Sequence, residues 1–182
     1  MQKYDLKTKY LKEIVPKMMG LFGYKTHMAV PKVTKAVINI GIGRLRENKD
    51  AVSEVLKHLS LITGQKPSER PAKKAISSFK TRQGQIVGYK ITLRGGRMYD
   101  FMERLINLAI PRTRDFRGIS LDSIDDGGNL TLGIKEHIVF PEMTGENIKN
   151  IFGFEITFVT NAKTKNEATQ LFKLIGYPFK HV

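Results

Sequence analysis

Residues 31–43 read "PKVTKAVINIGIG", and their pattern decides the fold class. Thr34, Ala36, Ile38, Ile40 and Ile42 alternate with Val33, Lys35, Val37, Asn39 and Gly41, which is the period-two signature of a strand with one face in a core and the other partly polar. The same signature returns at residues 85–95, "QIVGYKITLRG". Here Val87, Tyr89, Ile91 and Leu93 form the apolar set, and Gly88, Lys90, Thr92 and Arg94 form the outward set. Two strands that both turn polar residues outward predict a sheet with one open face.

Helices fill the intervals. Leu6, Tyr10, Ile14 and Met18 recur every four residues, with Leu11 and Val15 beside them, so a helix is predicted over about Asp5 to Leu21 with a kink at Pro16. Asn48 is placed to cap a helix running to about Thr63 on a stripe of Val52, Val55, Leu56, Leu59 and Ile62, with Gly64 ending it. Another helix is expected from about Arg97, burying Met98, Phe101, Met102, Leu105, Ile106 and Ala109, until Pro111 stops it. The second half reads as hairpins, with "DDGGN" as turn chemistry before a run with Leu130, Leu132, Ile134 and Ile138 in register, and "GFEITFVT" as a further strand. Thr164 and Glu167 have capping-box spacing for a last helix that Gly176 and Pro178 close. The expected class is α+β: a single domain over residues 1–182, a largely antiparallel sheet, helices on one face and the other face open.

Charge narrows the function. The 182 residues carry 31 Lys or Arg against 17 Asp or Glu, and the excess is confined to one half. Residues 1–99 hold 21 basic and 6 acidic residues, whereas residues 100–182 hold 10 and 11. Charge needed only for solubility has no reason to segregate, so the basic half is expected to face a polyanion, and nucleic acid is the commonest one in cytoplasm. With no cysteine there is no disulfide framework and no thiolate metal cage. No apolar run reaches the length of a signal core or membrane span, so a soluble cytoplasmic protein with no membrane partner is expected.

Catalytic patterns fail on inspection. "NIGIGRLREN" opens like a dinucleotide fingerprint, but Arg46 stands at the third glycine position. The run from Asp122 resembles a calcium loop, yet Ile124 and Gly133 remove oxygen ligands. His27, His58, His137 and His181 lack ligand spacing and read as core or surface histidines. "GLFG" at 20–23 outlines an RNA-clamping loop, but its middle residues are apolar, so it reads as a helix end and turn. No cofactor, metal or catalytic residue is expected. Two other classes stay open: an enzyme acting on RNA or nucleotides, for which turnover would speak, and a protein-interaction adaptor, for which salt-resistant partner binding would speak.

One segment, "AKKAISSFKTRQGQ" at 72–85, is cationic, free of acidic residues and bounded by Pro71 and Gly84. It reads as a protruding basic loop. Ile76 and Phe79 either shape its tip or pack it back on itself.

The blocks "VINIGIG", "RPAKKAISSFKTRQGQIVGYKITLRG", "MYDFMERLI", "PRTRDFRGIS", "NLTLGIKEHIVFPE" and "EATQLFKLIGYPF", in this order over nearly the whole chain, resemble the bacterial large-subunit ribosomal protein five family. That resemblance implies a non-enzymatic protein of the cytoplasmic ribosome that binds 5S ribosomal RNA in the central protuberance, beside large-subunit ribosomal RNA and neighbouring ribosomal proteins. Mapped onto this sequence, it implies 5S contacts at Lys35, Asn39, Gln65, Thr92 and Arg94, and the outward face of the second strand adds Lys90 to that set. It implies a contact with peptidyl-site transfer RNA through Lys73, Lys74, Ser77, Ser78, Lys80, Arg82 and Gln83. It further implies a contact with a small-subunit head protein near Arg112 to Arg117 and the "KEHIVFPEM" stretch. Arg44 and Arg46 match no motif of the family.

Overall fold

The computed structural model describes residues 5–43, 45–114 and 116–180. Five strands, β1 (Val33–Gly41), β2 (Ser68–Pro71), β3 (Ile86–Leu93), β4 (Leu130–Ile134) and β5 (Phe154–Thr160), hydrogen-bond in the order β2-β3-β1-β5-β4. The β2–β3 pair is antiparallel, with Ser68 opposite Lys90 and Arg70 opposite Gly88, and its register shifts at Pro71, which has no N–H to donate. Strands and helices together make the α+β class read from the sequence. The chain falls into two compact units, residues 1–36, 93–132 and 157–182 in one, and 37–92 and 133–156 in the other.

In the first unit the N-terminal helix runs through an α segment (Leu6–Lys9), a π segment (Tyr10–Ile14) and a second α segment (Val15–Phe22). Leu6, Tyr10, Ile14 and Met18 are all buried, as their spacing predicts, but Leu11 is 59% exposed and does not join the stripe. Pro16 falls in the first turn of the last segment, and the hydrogen-bond register changes from π to α just before it, at the place where the sequence predicts a kink. The helix over 95–112 repeats the device. Its π segment Leu105–Ala109 precedes a short α turn, Ile110–Arg112, so Pro111 does not stop the helix as expected.

Local bonds fasten these helices. Lys9 Nζ donates to the Ile175 carbonyl at 3.2 Å, and the Leu6 N–H points to the Glu103 carboxylate at 3.4 Å. The Tyr10 hydroxyl donates to the Pro31 carbonyl at 3.2 Å, and burial, then the neighbouring Tyr99, pushes its pKa up to about 12. The C-terminal helix, Lys165–Ile175, starts on the predicted capping box: Thr164 Oγ1 accepts from the Glu167 N–H, and the Glu167 carboxylate accepts from the Thr164 N–H, each at 3.3 Å. Phe101, Phe158 and Phe172 are fully buried, each contributing about 1.5–3 kcal/mol through its removal from water.

In the second unit the helix Lys49–Thr63 is capped as predicted, with Asn48 Oδ1 accepting from Asp50 and Ala51 at 3.1 Å each. Gly64 closes it in the left-handed region, at φ +66°. The helix is rotated slightly from expectation: Val52 and Leu56 are half-buried, while Ala51 and His58 join Val55, Leu59 and Ile62 in the core. Glu54 binds the loop before β5, accepting from the N–H of Lys149 at 2.8 Å and from Asn150 Nδ2 at 2.6 Å. Where β3 passes β1, a side chain at Gly88 would begin 2.5 Å from the Ile40 carbonyl oxygen, so only glycine lets the strands approach this closely.

Candidate nucleic-acid interface

The alternation in β1 and β3 sorts the expected contacts from the core. Ala36, Ile38 and Ile40 are buried, while Asn39 is exposed and Lys35 half-buried. One detail differs from the reading of the sequence. Val33 is buried and Thr34 exposed, because the strand changes phase before Ala36 and the Thr34 hydroxyl donates to the Val159 carbonyl at 3.0 Å. On β3, Tyr89, Ile91 and Leu93 are buried, Lys90 and Thr92 are half-buried, and Arg94 just past the strand is exposed. Gln65 follows the 49–63 helix, half-buried, with its N–H and carbonyl both meeting the Thr63 hydroxyl, at 3.3 and 3.1 Å. It borders an open groove of about 640 Å³ together with Lys57, Lys66 and Tyr89. Amide, hydroxyl and cationic groups on such positions can reach phosphate, 2′-hydroxyl and base edges without disturbing the core.

The 72–85 segment turns back on itself as a hydrogen-bonded arm. At its base, the Ala72 N–H donates to the Gln85 carbonyl at 2.8 Å and the Gly84 N–H returns to the Ala72 carbonyl at 3.0 Å. Nearer the tip, Ile76 and Thr81 exchange both backbone bonds, at 2.9 and 3.1 Å, around the single turn Ser77–Phe79. Lys80 follows that turn with φ +48°. Lys73, Lys74, Ser77, Ser78, Lys80, Arg82 and Gln83 are all exposed, and none of the four cations pairs with a described carboxylate. Ile76 and Phe79 shape the tip, at 47% and 71% exposure, rather than packing inward.

Arg46 is the residue that sequence reasoning left unassigned. Its guanidinium donates to the Phe79 carbonyl at 3.4 Å and to Thr81 Oγ1 at 3.5 Å, tying the β1 turn to the arm's tip. A contact spanning more than thirty residues leaves no periodic trace, although two arginines, Arg44 and Arg46, in a glycine-rich turn were a signal. Arg44 and His181 lie outside the described residues.

His58 and His137 do not stand apart as their sequence positions suggest. They are buried together with their ring nitrogens 3.1 Å apart. His27 is exposed. Among the described residues no group of three or more His, Cys, Asp or Glu could hold a metal ion, and no helix is long and apolar enough to cross a membrane. The calcium-like run is a turn in which Asp125 accepts from the Asn129 N–H at 2.7 Å and Asn129 Nδ2 at 2.9 Å. These bonds hold its carboxyl below the usual range. "GLFG" ends the N-terminal helix, with Gly23 at φ +68°. Of the remaining expected contacts, Arg112, Arg114, Phe116 and Arg117 are exposed, while in the 135–143 stretch Ile138 is exposed and His137 and Val139 are buried.

Comparison with known proteins matches this arrangement along the chain. A family model described as ribosomal protein L5 matches residues 27–82, and a second, describing the C-terminus of the same ribosomal family, matches residues 86–179. The large ribosomal subunit protein uL5 of Dictyoglomus turgidum is 52% identical over 175 residues, covering 96% of this chain and 98% of that protein. The uL5 protein of Desulforamulus reducens is 52% identical over 177 residues, covering 97% and 98%, and that of Thermoanaerobacter sp. is 51% identical over 174 residues, covering 96% and 97%. The chain therefore belongs to the ribosomal protein L5 family, whose members are structural ribosomal proteins and not enzymes.

Proposed function

We propose that this chain, a structural constituent of the large ribosomal subunit in the cytoplasm, binds 5S ribosomal RNA through Lys35 and Asn39 of β1, Gln65, Lys90 and Thr92 of β3, and Arg94. Residues 1–182 act as one ribosomal RNA-binding domain on this reading. The observation that carries it is the alternation itself: Asn39, Lys90 and Thr92 stay out of the core that Ile40, Tyr89 and Ile91 fill. Phosphate neutralisation supplies affinity, and the fixed polar groups between the cations supply the fit to folded RNA. The arm at 72–85 reaches peptidyl-site transfer RNA through Lys73, Lys74, Ser77, Ser78, Lys80, Arg82 and Gln83. The arginines of 112–117 and the 135–143 stretch are the surfaces offered to a small-subunit head protein.

Titration of 5S RNA against an unrelated duplex of equal length tests the first claim. Tighter binding of 5S RNA, weakening steeply with salt, supports it, and equal affinity for both overturns it.

A further inference from the structure

Neutralising phosphates requires no aromatic ring, yet Phe79 stands at the tip of the arm with 71% of its surface open. Lone exposed apolar residues are common, so exposure alone says little. What sets Phe79 apart is how its backbone is held. Its carbonyl accepts from Arg46 at 3.4 Å and from the Thr81 hydroxyl at 3.1 Å. The next residue, Lys80, takes a left-handed conformation uncommon for a side chain of its size, and its N–H closes the turn on the Ser77 carbonyl at 2.9 Å. The ring is thus presented from a braced turn, so the backbone has little freedom left to lose when the ring is covered.

The surroundings say what covers it. None of the fourteen residues 72–85 is acidic, and four are cations. Phe79 also borders an open groove of about 680 Å³ in which Gly41, Gly43 and Gly153 leave backbone uncovered beside Arg46 and Phe152. An exposed aromatic ring on a segment that carries four cations complements an unstacked nucleobase and its phosphates. An apolar protein surface matches the ring and leaves the cations unanswered.

We propose that Phe79 is a stacking platform for a nucleobase of the RNA that the arm meets, and that Arg46 is its positioning residue. This rests on the reading of the arm as a transfer-RNA contact.

The chain has no tryptophan, so Phe79→Trp places a single indole reporter at the tip of the full-length protein. Binding of transfer RNA is followed by the anisotropy of the labelled RNA and, in parallel, by indole emission. Stacking predicts quenched emission on binding, near wild-type affinity for Phe79→Trp, and about tenfold weaker binding for Phe79→Leu, which keeps the apolar tip and loses the π face. Adding Arg46→Ala to Phe79→Trp is expected to shrink the quench and weaken binding while the urea midpoint stays in place. Transfer RNA that binds without quenching, or equally well to Phe79→Leu, overturns the stacking inference and leaves the arm's reading standing; the ring then serves a protein surface. Wild-type protein that binds no transfer RNA at low salt overturns the reading of the arm and the inference with it.

Discussion

His58 Nδ1 and His137 Nε2 face each other at 3.1 Å inside the second unit, and one further bond fixes which nitrogen carries the proton. The Phe152 N–H points to His137 Nδ1 at 3.4 Å, which makes that nitrogen an acceptor. His137 therefore carries its proton on Nε2 and donates it to His58 Nδ1. Stacking of His137 on the Phe152 ring at a centroid distance of 3.9 Å excludes water from one face of the pair.

Acid should break this arrangement. Burial, and then the neighbouring His58, lowers the His137 pKa from 6.5 to about 4. The unfolded chain thus takes up a proton at higher pH than the folded one. The pair's contribution is complete above about pH 6.5 and is lost as pH falls from there toward 4, a loss on the order of 2 kcal/mol. Urea midpoints at pH 7.5, 5.5 and 4.5 should fall more for the wild type than for His137→Gln, which cannot titrate.

Gly88→Ala should destabilise the protein by about 1–3 kcal/mol, the range of an overpacked core. Its new methyl group would begin 2.5 Å from the Ile40 carbonyl oxygen, and backbone cannot swing aside as a flexible side chain can. Thermal melting measures the loss, and a Tm equal to wild type would mean that β1 and β3 separate at little cost.

Asn39→Ala and Thr92→Ala should each weaken 5S RNA binding while changing folding stability by no more than about 0.5 kcal/mol, as outward polar positions do. Paired RNA titrations and urea melts separate the two effects. Unfolding of either variant would place these side chains in the core.

Removing Lys74 to Gln83 and joining the ends with a short turn should spare 5S RNA binding and reduce transfer-RNA binding. The bonds at the arm's base, between Ala72, Gly84 and Gln85, lie outside the deleted residues. Loss of 5S affinity in this variant would assign the arm to the main RNA surface.

Thr164→Ala should cost about 1 kcal/mol, the usual loss on removing an N-cap side chain. The Glu167 N–H loses its acceptor, while Glu167 keeps its bond from the Lys163 N–H at 2.8 Å. Chemical denaturation of the variant at neutral pH checks the figure.

What the sequence displays are features whose partners are close along the chain. The alternation in β1 from Ala36 and in β3 from Tyr89, the Asn48 cap and the Thr164–Glu167 box each involve a few consecutive residues, and each stands where the spacing puts it. The His58–His137 pair spans 79 residues, and the Arg46 bonds to the arm span 33 and 35. Neither repeats at any period, so no pattern announces them. Thr34 and Leu11 went to the wrong side for a related reason. Each lies next to a change of phase, one in a strand and one in a helix, and a fixed period carries an assignment straight across such a break.

The π segments make sense of a regularity that was visible from the start. Leu6, Tyr10, Ile14 and Met18 are spaced by four at every step, and all four are buried. On an uninterrupted α-helix each four-residue step overshoots a full turn by about 40°, so three steps would swing the last side chain about 120° off the first. Inserting the wider turn at Tyr10–Ile14 takes up part of that drift and keeps the four residues on one side. The strict fourfold spacing is therefore the written form of the wide turn: with one residue fewer, a plain α-helix would already bring Leu6 and Met18 to within about 20° of each other.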